Sequence, residues 1–128
     1  MEHLKIEGTK QSPFVDFNAD AGKLELSGRS IPENSFEFYN PLLEWLMEYA
    51  KSPKEETVLK VYLEYFNTSS SKYILEVLKK LKDVLKVDGA SVRVDWCYDE
   101  DDEEMMETGE DYEDVTGLEF EYHEIEEE

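Results

Sequence analysis

TVLKVYLEYFNTSSSKYI (residues 57–74) joins two different hydrophobic periods with almost no spacer. From Thr57 to Phe66 the period is two: Leu59, Val61, Leu63 and Tyr65 share one face, and Val58, Lys60, Tyr62, Glu64 and Phe66 share the other. A run this long and this apolar predicts a central strand. Beyond the junction the period becomes helical, with Tyr73, Ile74, Val77, Leu78, Leu81, Val84 and Leu85 on one stripe. Lys79, Lys80, Lys82 and Lys86 gather toward the C-terminal end of that helix, where its dipole favours cations. A strand feeding directly into an amphipathic helix is the basic unit of an α/β layer. Four consecutive hydroxyl residues, Thr68 to Ser71, stand at the hand-over.

Working outward, PFVDF (Pro13–Phe17) and KLELSG (Lys23–Gly28) read as hairpin strands around the turn cluster NADAG, and LKI near the start reads as an edge strand. Asn40-Pro41 predicts the start of a first helix, with Leu42, Leu43, Leu46, Met47 and Ala50 at helical spacing and Ser52-Pro53 as its stop. Downstream, Asp88-Gly89 ends the second helix and SVRVDW (Ser91–Trp96) alternates as a strand. Residues 98–116 are mostly acidic and show no strong period, so they are expected to form a surface loop with at most a short helical turn near Met105. GLEFEYHEI then alternates again, an edge strand whose Glu119 and Glu121 discourage strand addition. The expected architecture is an α/β (α+β) single domain, residues 1–128: a mixed β-sheet of five to six strands with two main helices.

The formal net charge of −20 is unevenly spread. Residues 1–93 hold all 13 Lys and Arg against 15 acids, whereas residues 94–128 hold 18 acids and no Lys or Arg. Such a surface repels nucleic acid and anionic membranes, since both are bound by cations that neutralise phosphates. A basic protein face is a compatible partner. Nothing approaches the run of about 18 apolar residues that a membrane span requires. MEHLKIEGTK lacks the apolar stretch of a signal peptide, and the one cysteine, Cys97, has no disulfide partner in the chain. These features together lead to the expectation of a cytoplasmic protein.

The sequence offers three kinds of candidate site. Asp99, Asp101, Glu103, Glu107 and Glu110 fall on calcium-loop positions 1, 3, 5, 9 and 12, but Glu104 occupies the position that needs Gly, so a solvated acidic loop is the expectation and no metal is assigned. Nucleophilic catalysis needs a positioned base, and the histidines, His3 and His123, lie near the termini; neither an enzyme nor a cofactor is expected. The hydroxyl cluster admits two readings. One of Thr68, Ser69, Ser70 and Ser71 can cap the second helix, which satisfies its free N–H groups. The surplus hydroxyls are then available for phosphorylation, where the helix N-terminus and Lys72 would favour the anion.

FYNPLLEWL, the long strand, YFNTSSSKYI and the acidic METGEDYE, in that order, resemble the SiaC family of bacterial regulatory phosphoproteins over nearly the whole chain. The resemblance implies a fold similar to the STAS anti-sigma-factor antagonists, and a partner-switching role. It implies phosphorylation of Thr68 by a serine/threonine kinase of the anti-sigma-factor-kinase type, and reversal by a metal-dependent serine/threonine phosphatase. It also implies a diguanylate cyclase as target of the unphosphorylated form, hence cyclic-di-GMP signalling. Asn67, Ser69, Ser70 and Lys72 would then belong to the partner-binding surface around the phosphosite. The alternative is a constitutive adaptor in which the acidic segment docks a basic partner and the hydroxyls only cap; a calcium-binding protein stands third.

Overall fold

A computed structural model describes residues 1–126; of the acidic C-terminal end, Glu127 and Glu128 lie outside the described residues. Six strands form one mixed sheet in sequence order: β1 (Leu4–Ile6), β2 (Phe14–Asn18), β3 (Lys23–Ser30), β4 (Glu56–Phe66), β5 (Ser91–Asp99) and β6 (Glu119–Ile125). β1, β2 and β3 are antiparallel neighbours, while β3 through β6 run parallel. Each parallel step is bridged by a helix: α1 (Ser35–Tyr49), α2 (Thr68–Lys82, continued by a 3-10 turn at Asp83–Lys86) and α3 (Glu103–Thr116). The parallel strands advance in one direction across the sheet, and right-handed crossovers, the rule for such connections, place all three helices on one face. The hairpin, the edge strands and the central placement of β4 agree with the sequence expectation.

The core lies between that face and the helices. Val15, Phe17, Leu24, Leu26, Leu59, Val61, Leu63, Val92, Val94, Trp96 and Phe120 point inward from the strands. They meet Tyr39, Leu42, Trp45, Leu46 and Tyr49 of α1 and Ile74, Val77, Leu78 and Leu81 of α2. The opposite face carries polar residues on the same strands, aligned in rungs. One rung, Lys5–Asp16–Glu25–Lys60–Asp95–Glu121, crosses all six strands. Cys97 lies on this face but is nearly covered, and burial pushes its thiol pKa up.

Expectations for α1, β4 and the acidic segment are corrected. The first helix starts at Asn34, not at Asn40: the Asn34 side chain accepts the Glu37 N–H at 3.1 Å, and Asn34 with Glu37 has the spacing of a capping box. Pro41 therefore sits inside α1, on its exposed side, where the carbonyl it leaves without a helical donor can be hydrated. Met47, expected on the apolar stripe, points to solvent, and Trp45 and Tyr49 take the inward positions. Along β4, the register with β3 shifts between Gly28 and Arg29, so that Gly28 opposes Leu63 but Arg29 opposes Tyr65, leaving Glu64 unmatched. This bulge reverses the alternation: Tyr65 is turned out of the core face and Phe66 in its place packs against the core.

The third correction is the largest. The acidic segment expected as a loop over 98–116 is mostly helix, which makes three helices rather than two main ones. Asp102 caps α3 by accepting the Met105 N–H at 3.0 Å, and acidic residues in the first turn suit the positive end of the helix dipole. Met105, Gly109, Tyr112 and Thr116 form its buried stripe, and Gly117, with φ of 73°, ends it as its N–H meets the Glu113 carbonyl. The Trp96 indole N–H donates to the Met105 carbonyl at 2.8 Å, drawing α3 against β5. A Cβ at Gly109 would lie 2.5 Å from Trp96 Cδ1, so only glycine permits this approach. Gly109→Ala should therefore destabilise the protein by about 1–3 kcal/mol through overpacking, against a helix-propensity gain of about 1 kcal/mol. A thermal melt that stays level or rises would show that α3 does not depend on this contact.

Candidate functional site

The hydroxyl cluster sits at the C-terminal edge of the parallel strands, the rim where open α/β sheets place their functional loops. Asn67, rather than any of the four hydroxyls, caps α2: its Oδ1 accepts the Ser70 N–H at 2.9 Å. Thr68 is thus the first residue of the helix and not a residue preceding it. Asn67 is itself held by its own N–H, which donates to the Ser30 carbonyl at 3.1 Å across the β3–β4 boundary.

The four hydroxyls are not equivalent. Ser70 is fully buried, so it belongs to the support of the site and not to the exposed partner surface expected for it. Tyr39 Oη donates to Ser30 Oγ (2.6 Å), Ser30 Oγ donates to Ser70 Oγ (2.8 Å), and Ser70 Oγ donates to the Ser30 carbonyl (2.9 Å). Burial pushes the Tyr39 pKa up to about 12, outweighing the hydroxyls beside it, so the phenol keeps its proton. Ser69 Oγ accepts from Ser35 Oγ at 2.5 Å and donates to Asn67 Oδ1 at 3.3 Å. Ser71 Oγ donates back to the Thr68 carbonyl at 2.7 Å. The Thr68 hydroxyl is exposed and has no hydrogen-bond partner among the described residues.

Two further helices brace the segment. On the α1 side, Tyr39 stacks on Tyr73 with ring centroids 5.7 Å apart. On the α3 side, the Tyr112 hydroxyl donates to the Ser71 carbonyl at 2.8 Å, and burial raises its pKa out of reach of ordinary titration. Lys72 is exposed, one turn beyond Thr68, with its ammonium 5.8 Å from the Tyr73 ring centre. Asn67, Thr68, Ser69 and Lys72 lie together at the start of α2, and the sequence reading lacked Ser30, Ser35 and Tyr39, which support them. Their only signal was a run of hydroxyl-bearing residues around a helix start, which becomes meaningful once β3 and β4 are paired.

The calcium-loop reading fails on geometry: Glu103, Glu107 and Glu110 lie on helix α3, so they cannot belong to a twelve-residue loop wrapped around an ion. A different trio, Asp95, Glu121 and His123, gathers on the open face, with donor atoms within 4.8 Å of one another. Arg93 already fills it, contacting Asp95 at 2.9 Å and Glu121 at 3.4 Å. Burial works to raise the Asp95 pKa, but hydrogen bonds from Arg93 and His123 outweigh it and hold the carboxyl below its ordinary value. A cation is thus present already, in the form of a guanidinium. No helix among the described residues is long and apolar enough to cross a membrane.

Comparison with known proteins agrees with this architecture. The family model described as SiaC family regulatory phosphoprotein matches residues 6–125. An uncharacterized protein of Pseudomonas aeruginosa (strain UCBPP-PA14) is 31% identical over 112 residues, covering 88% of each chain. The crystal structure of apo-SiaC from Pseudomonas aeruginosa superposes with a TM-score of 0.83 at 26% identity, covering 96% of this chain and 99% of that one. A chain in the crystal structure of the diguanylate cyclase SiaD in complex with its activator SiaC, from the same organism, gives a TM-score of 0.87 at 28% identity, covering 95% and 99%. With the matched family model spanning nearly the whole chain, this protein belongs to the SiaC family of regulatory phosphoproteins.

Proposed function

We propose that this protein is a non-catalytic cytoplasmic regulator that binds and activates a diguanylate cyclase, and that reversible phosphorylation of Thr68 switches the binding off. The observation that carries the reading is the isolation of one hydroxyl: Thr68 alone in its cluster is exposed and unbonded among the described residues, while Ser69, Ser70 and Ser71 are engaged. A kinase of the anti-sigma-factor-kinase type would add the phosphate and a metal-dependent phosphatase would remove it. The likeness to the activator in the SiaD complex supports a cyclase as the target.

Physically, the phosphate would act on the surface and not on the fold. At the first position of α2 it would meet the positive end of the helix dipole. Lys72, four residues on, is placed for the favourable anion-before-cation pairing along a helix. The modified segment therefore stays helical. What changes is a rim that acquires about −1.5 to −2 charge, which a partner must desolvate or oppose.

A second reading rests on the outer face of α3, where Glu103, Glu104, Glu107, Glu110, Asp111 and Asp114 are exposed on a helix without a cation. Here the acidic helix docks a basic partner constitutively and Thr68 is incidental. Binding that survives Thr68→Asp but fails on neutralising these six carboxylates would select it.

Co-expression with the cognate kinase, followed by mass-spectrometric site mapping, should find phosphate on Thr68; modification confined to Ser70 or Ser71, or none, would overturn the assignment. Thr68→Ala should bind the cyclase whether or not kinase is present. Stability separates the hydroxyls too: Thr68→Ala should change unfolding free energy by less than about 0.5 kcal/mol. Ser70→Ala strands the buried Ser30 donor and should cost about 1–3 kcal/mol. Phosphorylated protein should melt at the same temperature or up to about 5 °C higher; a clear fall would mean that the modification works by unfolding α2.

A further inference from the structure

The rim around Thr68 is also where the molecule exposes its largest aromatic surface. Phe36, in the first turn of α1, is 58% exposed, and Tyr65, three residues before Thr68, is 52% exposed. Ser35, the neighbour of Phe36, touches Ser69 through their hydroxyls, which sets Phe36 on one side of the phosphosite. Tyr65 is exposed because the β3–β4 bulge turns it out of the core face, opposite Arg29. Nothing in folding asks for either exposure: a single step in register would have kept Tyr65 on the face of Leu63. Bulges that re-aim one side chain are a common device beside binding sites.

Two exposed cations accompany the rings. In a chain of net charge −20, Arg29 and Lys72 are exposed and carry no ion pair among the described residues. Lys51, Lys79, Lys86 and Arg93 are each matched by a nearby carboxylate, whereas Lys5, Lys10, Lys23, Lys54, Lys60, Lys80 and Lys82 share the unpaired state of Arg29 and Lys72 among the described residues. Two unmatched cations beside two exposed aromatics describe a surface complementary to apolar side chains bordered by carboxylates. Aromatic and Arg side chains are also the types that dominate binding energy at protein interfaces.

We propose that Phe36 and Tyr65 are the anchors of the partner contact and that Arg29 and Lys72 pair with carboxylates of a protein partner that presents an apolar, acid-bordered surface. The proposal rests on the reading of Thr68 as a switch and explains how one phosphate suffices. The dianion would draw Lys72 into an intrahelical pair, withdrawing it from the partner, and would face the partner's carboxylates directly.

The test uses the full-length chain and the purified diguanylate cyclases of its own genome, with affinity measured by calorimetry. Phe36→Ala and Tyr65→Ala should each weaken binding about tenfold or more, while Met47→Ala, equally exposed at the far end of α1, should not change it. Arg29→Glu with Lys72→Glu should weaken binding at least as much and flatten its dependence on salt. Melting temperatures near that of the unsubstituted protein would confirm that all four variants fold. If the unmodified chain binds none of the cyclases, the functional reading and this contact surface fall together. If phosphorylation releases the cyclase but Phe36→Ala and Tyr65→Ala bind as before, the surface falls and the switch stands. If those variants fail to bind yet phosphorylation has no effect, the surface stands and the switch falls. Equal or tighter binding by the charge-reversed variant would overturn the acidic character assigned to the partner.

Discussion

Four parallel strands that advance in one direction across a sheet can place right-handed crossover helices on only one of its faces. Everything else in this molecule accommodates that constraint. Parallel sheets are ordinarily sandwiched by helices and apolar on both sides. Here the strands must alternate, apolar toward α1, α2 and α3 and polar toward water. Lys60 of β4 stands between Glu25 and Asp95 on the open face, while its chain neighbours Leu59 and Val61 are buried. The same one-sidedness collects the N-termini of α1 and α2 along one rim, where a short bulge and a few hydroxyls give the surface its character.

The strands and α2 were legible in the sequence because half-buried strands alternate visibly and because α2 carries Tyr73, Ile74, Val77, Leu78 and Leu81 at helical spacing, although Leu85, read on the same stripe, is exposed in the 3-10 turn that follows. α3 was not, for a physical reason. Its buried stripe consists of Met105, Gly109, Tyr112 and Thr116, only two of which are large and apolar, and its contact with Trp96 is made through an absent side chain. Hydrophobic periodicity cannot register a helix that docks by being thin. The start of α1 was misplaced because Asn40-Pro41 is a stronger textual signal than Asn34, although Asn34 and the glutamate three residues beyond it have capping-box spacing. Tyr65 was placed on the wrong face because alternation carries no warning of a register step.

At the site, the residue types were legible but their division of labour was not. Sequence offered four hydroxyls and one capping task; the fold sets three hydroxyls to structural work and gives the cap to an asparagine. Ser70 is committed to the core through Ser30 and Tyr39, Ser69 bridges to α1, and Ser71 turns back on the helix. Thr68 is singled out by subtraction. The proposal that Thr68 is the modified residue draws on this geometry as well as on the family resemblance.

Because the rim and the open face are built from different residues of the same strands, the two can diverge separately over evolutionary time. The charged rung on the open face is built from Lys5, Asp16, Glu25, Lys60, Asp95 and Glu121 and does not include Phe36, Tyr65 or Arg29. A lineage could acquire a new partner by altering a handful of rim positions while inheriting the scaffold intact. Ser70 has no such freedom, since it supports the rim from inside the core.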